Sequence, residues 1–179
     1  MSAGLPTDLR ARAARVRLLI FDVDGVLTGG ELFYGDDGQE YKAFHSRDGH
    51  GIKMLHDGGI TTAIITGRQS RVVEHRVRNL GIGHVYQGQH DKREGFAHLL
   101  SALGLGAEET AYLGDDVVDL PVMLRAGLAI AVADAHPLVK QHAHWVTPHP
   151  GGRGAARDAC ELLLDAHGLL EVAWQKYLN

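Results

Sequence analysis

Two aspartates one residue apart, in Asp22-Val23-Asp24-Gly25-Val26, follow directly on the apolar run Leu18 to Phe21. Carboxylates at i and i+2 leaving a strand can face one pocket if the chain turns at once, and Gly25 permits that turn. Such a pair can serve as nucleophile, as general acid and base, or as ligands of a hard cation. Three more polar segments follow later apolar runs. Thr66-Gly67-Arg68 offers a hydroxyl for a phosphate oxygen, although Thr66 alone reads equally as a helix N-cap. Lys92 opens a helical segment, where the macrodipole disfavours a cation, so its position points to a site. Gly114-Asp115-Asp116-Val117-Val118-Asp119 carries three carboxylates. They read as caps of a helix N-terminus or, with Asp22, as the oxygen cluster that Mg2+ needs.

The elements that must place these residues follow from periodicity. Short β-like runs at Val16 to Phe21, Thr62 to Thr66, His84 to Gln87, Thr110 to Leu113 and Leu128 to Val132 alternate with helical spacing. The helical segments are Gly49 to Asp57, Gln69 to Leu80, Lys92 to Leu103, Val118 to Ala126 and Ala155 to His167. That alternation predicts an α/β fold, a doubly wound, Rossmann-like and mainly parallel sheet with helices on both faces. Open sheets of this kind bind ligands at the carboxyl ends of their strands, where all four polar segments fall. Two extended runs, Glu31 to Tyr34 and Gln39 to Phe44, surround Gly35-Asp36-Asp37-Gly38 and predict a β-hairpin. With no repeat and no low-complexity linker, residues 1–179 read as one domain, with a C-terminal helix and tail from about residue 155.

Composition narrows the function class. The 18 Lys and Arg against 22 Asp and Glu give a net charge of −4, so no polycationic surface for nucleic acid is expected. No apolar run reaches the 18 or so residues of a membrane span, and Leu18 to Phe21 is too short for a signal-peptide core. The single cysteine, Cys160, excludes an internal disulfide, reads as a core residue and suits the cytoplasm. The twelve histidines show no zinc spacing, and His142 and His144 read as surface residues. Glycine, at 23 residues, is in excess, so many turns need positive φ or close backbone approach.

In order, Asp22-x-Asp24-Gly-Val-Leu-Thr, Thr66-Gly-Arg, Lys92 and Gly-Asp115-Asp116-x-x-Asp119 resemble the haloacid dehalogenase superfamily of phosphotransferases. The likeness is to its uncapped branch, because only the hairpin and one helix separate the first two motifs. Further segments are similar to those of 3-deoxy-D-manno-octulosonate 8-phosphate phosphatases, enzymes of lipopolysaccharide synthesis. These are Ser46-Arg47-Asp48-Gly49-His50-Gly51-Ile52, Tyr86-Gln87-Gly88-Gln89, Val132-Ala133-Asp134-Ala135-His136-Pro137 and Gly151-Gly152-Arg153-Gly154.

The resemblance implies a Mg2+-dependent phosphoric monoester hydrolase working through a phosphoaspartate. Asp22 would be nucleophile and metal ligand. Asp24 would give its backbone carbonyl to the metal and its side chain as acid, then base, which calls for a raised pKa. Asp115 would be the third ligand, while Thr66 and Lys92 would stabilise the phosphoryl group. Asp116 and Asp119 would hold a metal-bound water or Lys92, or simply cap a helix. By the same resemblance Arg68, Arg76, Lys53 and the loop His45, Ser46, Arg47, Asp48, Gly49 would bind the sugar acid. Arg71, Arg76 and Arg78 could equally face water. A homotetramer built through the hairpin is implied, with one subunit's tail closing a neighbour's site through a flexible Gly151 to Gly154. Two alternatives stay open: a nine-carbon sialic-type acid phosphate as substrate, and a phosphoacceptor receiver. The latter is opposed by the early D-x-D and the late acid cluster.

Overall fold

The computed structural model describes residues 6–178. A short helix α1 (Thr7–Ala13) leads into β1 (Leu18–Phe21), which is fully buried. The hairpin β2 (Phe33–Tyr34) and β3 (Glu40–Tyr41) follows, then α2 (Ser46–Asp57), β4 (Thr61–Ile65), α3 (Arg71–Leu80) and β5 (His84–Tyr86). Next come α4 (Lys92–Leu103), β6 (Thr110–Gly114), α5 (Leu120–Met123), β7 (Leu128–Ala131), α6 (Pro137–His142) and β8 (Trp145–Val146). Helices α7 (Ala155–Ala166) and α8 (Leu170–Gln175) end the described chain.

Six strands pair in the order β5-β4-β1-β6-β7-β8, every pair parallel, so the main sheet is the predicted doubly wound one. Its central strands are largely apolar because helices cover both faces, and β6 and β7 are buried along their whole length. The chain builds outward from β1 to β4 and β5, then returns through α4 to place β6 on the other side of β1. Leu18 is thereby in register with both Thr61 and Thr110. The carboxyl end of β1 therefore lies at the topological switch point, where such sheets open a crevice.

Several boundaries move for local reasons. Helix α2 begins at Ser46, because the His45 ring caps it by accepting the Arg47 N–H. Ser70 rather than Thr66 caps α3 through the Val73 N–H, which removes the plainer reading of Thr66. The predicted helix Val118 to Ala126 shrinks to a 3-10 turn, Val117–Asp119, and the four-residue α5. Asp119 is drawn inward there to accept the Asp115 and Asp116 N–H groups. The hairpin ladder is shorter than predicted, and Leu32, Phe33, Tyr34 and Tyr41 stand exposed on it. Cys160 is buried on α7, as read, and His144 is a surface residue whose Nδ1 accepts the Ala129 N–H. No helix among the described residues is long and apolar enough to cross a membrane.

Candidate active site

At the carboxyl end of β1 the backbone places Asp22 against Lys92 from the first turn of α4. Lys92 Nζ lies 3.0 Å from Asp22 Oδ2 and 2.7 Å from Asp119 Oδ1, and the lysine is only 3% exposed. Burial opposes its charge, but Asp22 and Asp119 together hold its pKa above the ordinary value. The helix start that disfavours a cation is thus overridden by two carboxylates. Asp119 is itself saturated. The Tyr112 hydroxyl, from the buried middle of β6, donates to its Oδ1 at 2.7 Å, and the Asp115 and Asp116 amides donate to its Oδ2.

The carboxylate oxygens of Asp22, Asp115 and Asp119 lie within 4.8 Å of one another. Burial pushes Asp22 up to about 6 and Asp115 up to about 8, reinforced by the neighbouring acids and opposed by Lys92. Asp115 Oδ1 is buried without a hydrogen-bond partner, so the cluster carries unbalanced negative charge and an unused hard ligand atom. A divalent cation of the Mg2+ kind fits this donor set. Asp115 Oδ1 has no partner, and Asp22 Oδ1, which accepts the Val23 N–H at 2.7 Å, keeps a second lone pair, so these two can hold it, whereas both oxygens of Asp119 are engaged with Lys92, Tyr112 and two backbone amides. Gly25 makes the closeness possible: its φ is +86°, and a Cβ there would come within 2.1 Å of Asp115 Oδ2. Asp116 caps Val117 with its side chain, which fulfils the capping reading.

Asp24 turns the other way. Its Oδ1 accepts from Lys42 Nζ at 2.5 Å, and its Oδ2 lies 3.7 Å from Arg68 Nε. Arg68 also reaches the Tyr34 hydroxyl and lies 3.6 Å from Glu40 Oε1, so the hairpin and the Thr66-Gly67-Arg68 loop meet over Asp24. A cavity of about 400 Å³ opens between them. It is lined by Asp22, Asp24, Thr66, Arg68, Lys92, Asp115 and Asp116, with Leu32 and Val118 at its mouth.

The remaining residues expected at the site do not line this cavity. His45, Asp48, Gly49 and Arg76 border a separate narrow crevice, while Ser46, Arg47 and Lys53 are exposed on α2. Asp48 is corrected more sharply. Its carboxylate is buried and accepts the N–H groups of Gly154 and Arg157 at 3.2 and 2.9 Å, capping α7 from 106 residues away. Glycine at the N-cap of α7 has no side chain to do this, so α2 supplies the acceptor. Arg76 packs over the Phe44 ring and donates to the His45 carbonyl, and burial lowers its pKa; Arg71 and Arg78 are exposed. Gly151 to Gly154 is likewise no flexible entrance. A Cβ on Gly151 would come within 1.8 Å of the Gly25 carbonyl oxygen, and the Gly152 N–H donates to the Val26 carbonyl at 2.8 Å. The loop is a wedge seated against the Gly25 to Gly29 segment that follows the catalytic-turn acids.

Sequence reasoning missed Lys42, Glu40, Tyr34 and Tyr112. Tyr112 carried a signal, since a phenol in a fully buried strand must find a partner. The hairpin residues carried none, because their place depends on where the hairpin folds.

Comparison with known proteins agrees with this geometry. The profile of haloacid dehalogenase-like hydrolases matches residues 81–157. The 3-deoxy-D-manno-octulosonate 8-phosphate phosphatase of Yersinia pestis is 51% identical over 166 residues, covering 93% of this chain and 89% of that protein. A probable phosphatase of the YrbI family from Pseudomonas syringae superposes with a TM-score of 0.96 at 52% identity, covering 97% of this chain and 99% of the other. The 3-deoxy-D-manno-octulosonate 8-phosphate phosphatase of Moraxella catarrhalis, solved with magnesium, phosphate and the sugar acid, gives a TM-score of 0.94 at 36% identity, with the same coverages. With its acids on adjacent strand ends and this identity along nearly its whole length, the chain belongs to the 3-deoxy-D-manno-octulosonate 8-phosphate phosphatases, within the haloacid dehalogenase-like hydrolases.

Proposed function

We propose that this protein hydrolyses 3-deoxy-D-manno-octulosonate 8-phosphate to the free sugar acid and inorganic phosphate, in lipopolysaccharide synthesis in the cytoplasm. The observation that carries the chemistry is the Asp22 carboxylate held by buried Lys92 in one cavity with Asp24, Thr66, Arg68 and Asp115. The names of the relatives carry the substrate.

A phosphate monoester dianion repels an anionic nucleophile, so positive charge must be in place first. Asp22, Asp115 and the Asp24 carbonyl would hold a Mg2+ ion, which when bound would supply that charge. Asp22 attacks phosphorus while the bond from phosphorus to the C8 oxygen breaks, and Asp24 gives its proton to the leaving oxygen. Water then attacks the phosphoaspartate. Its proton goes to Asp24, the acyl phosphate bond breaks, and inorganic phosphate leaves with Asp22 regenerated. Lys92 and the Thr66 hydroxyl bind the phosphoryl oxygens, and Arg68 receives the carboxylate of the sugar acid.

Of the binding residues left outside the cavity, the exposed Ser46, Arg47 and Lys53 act in this reading on the substrate of a neighbouring copy. The exposed Leu32, Phe33, Tyr34 and Tyr41 of the hairpin support a homotetramer. The continuous core supports one domain over the chain. The test is a phosphate-release panel with Mg2+ on eight-carbon and nine-carbon sugar acid phosphates and hexose phosphates. The highest kcat/KM is expected on the eight-carbon acid; preference for a nine-carbon acid or a hexose phosphate would overturn the assignment.

A further inference from the structure

Lys42, at the end of the hairpin, performs none of the steps above, yet its side chain is 2% exposed. Its ammonium stands between two carboxylates, 2.5 Å from Asp24 Oδ1 and 3.1 Å from Glu40 Oε1. Glu40 is fixed from a second side, because Ser70 Oγ, at the N-cap of α3, donates to its Oε2 at 2.5 Å. Burying an ammonium is costly unless it is paired, so this arrangement persists only while both acids face it. The result is a chain of contacts from α3 through the hairpin to the catalytic turn: Ser70, Glu40, Lys42, Asp24.

Asp24 sits at the cavity wall on a turn, and its carboxyl group can rotate about two side-chain bonds. Lys42 fixes one oxygen. The other, Oδ2, faces Arg68 at 3.7 Å, beyond hydrogen-bond length, on a residue that lines the cavity. We infer that Lys42 is a positioning residue for proton transfer: by holding Asp24 Oδ1 it presents Oδ2 to the leaving oxygen of the substrate. The proton on Oδ2 passes to the bridging oxygen as the phosphorus–oxygen bond breaks. The carboxylate left behind remains paired with Lys42 and takes a proton back from the attacking water. The inference rests on the proposed assignment of Asp24 as proton donor.

Leaving-group dependence separates positioning from general support of the fold. A sugar alkoxide needs a proton to leave, whereas p-nitrophenolate leaves without one. A positioned acid contributes roughly 10²- to 10⁴-fold, so its misplacement should forfeit part of that on the sugar phosphate alone. The experiment measures kcat/KM, which reports the phosphoryl-transfer step and not the later hydrolysis common to both substrates, on 3-deoxy-D-manno-octulosonate 8-phosphate and on p-nitrophenyl phosphate for the wild type, Lys42→Met, Lys42→Arg and Asp24→Asn. Lys42→Met is expected to lose about 10-fold more on the sugar phosphate than on p-nitrophenyl phosphate. Lys42→Arg, which keeps the cation, is expected to recover most of it. Equal losses by Lys42→Met on both substrates, with Asp24→Asn still discriminating between them, would overturn the inference alone. Equal losses by Asp24→Asn would overturn the proton-donor assignment and the inference with it.

Discussion

The acid cluster at the strand ends and the rim formed by the hairpin and the start of α2 solve different problems with different means. In the cluster, Asp22, Lys92, Asp115 and Asp119 come from adjacent positions on β1, α4 and the turn after β6; Asp22 and Asp119 pair with Lys92, while buried Asp115 Oδ1 meets no partner. At the rim, Lys42, Glu40 and Arg68 reach over Asp24, but most of the expected sugar-binding residues do not line the cavity. The acid cluster is built into the sheet itself, whereas the rim is built from the hairpin and loops that fold over it.

That contrast can be broken or sharpened by experiment. Replacing Asp22 by Asn should abolish phosphate release on every substrate, since the cluster serves the phosphoryl group common to all of them; phosphate assays on the panel check this. Arg68→Ala should act selectively, costing about 10-fold or more in kcat/KM on the sugar acid phosphate and less on p-nitrophenyl phosphate. Equal losses would move Arg68 from recognition to the cluster.

The pH dependence of metal-free stability probes the cluster alone. Asp22 and Asp115 bind protons more tightly in the fold, at about 6 and about 8, than at their ordinary 3.8. The folded protein therefore holds more protons than the unfolded chain between these values. Its stability falls as pH rises from about 4 to about 8. Mg2+ binds the ionised carboxylates, so calorimetry should show a larger Mg2+-induced rise in Tm at pH 8 than at pH 5. The smallest effect belongs to Asp48. Asp48→Ala leaves two amides at the start of α7 without an acceptor and should lower stability by about 1–3 kcal/mol in urea unfolding.

The same contrast explains what could be read from the sequence. Apolar runs ending in Asp22, Thr66 and Asp115 mark buried strands that open into a crevice, because parallel strands covered by helices leave few other places for polar groups. Lys92 was legible as a cation on the wrong end of a helix. Asp48 and Lys42 were not: one looks like a site acid and caps a helix far along the chain, the other looks like a polar hairpin residue and is buried on Asp24. Both depend on long-range packing that no local spacing encodes. Gly151 to Gly154 misled for a related reason, since glycine written for flexibility and glycine written for close approach look alike until the facing carbonyl is known.

The central claim is that Asp22 takes the phosphoryl group from the sugar acid phosphate. The direct test is rapid acid quench of a single turnover with ³²P-labelled 3-deoxy-D-manno-octulosonate 8-phosphate and Mg2+, followed by peptide mapping. Transient label is expected on the peptide carrying Asp22 in the wild type and none in Asp22→Asn. Release of labelled phosphate with no labelled protein at any time, or label on another residue, would contradict that claim.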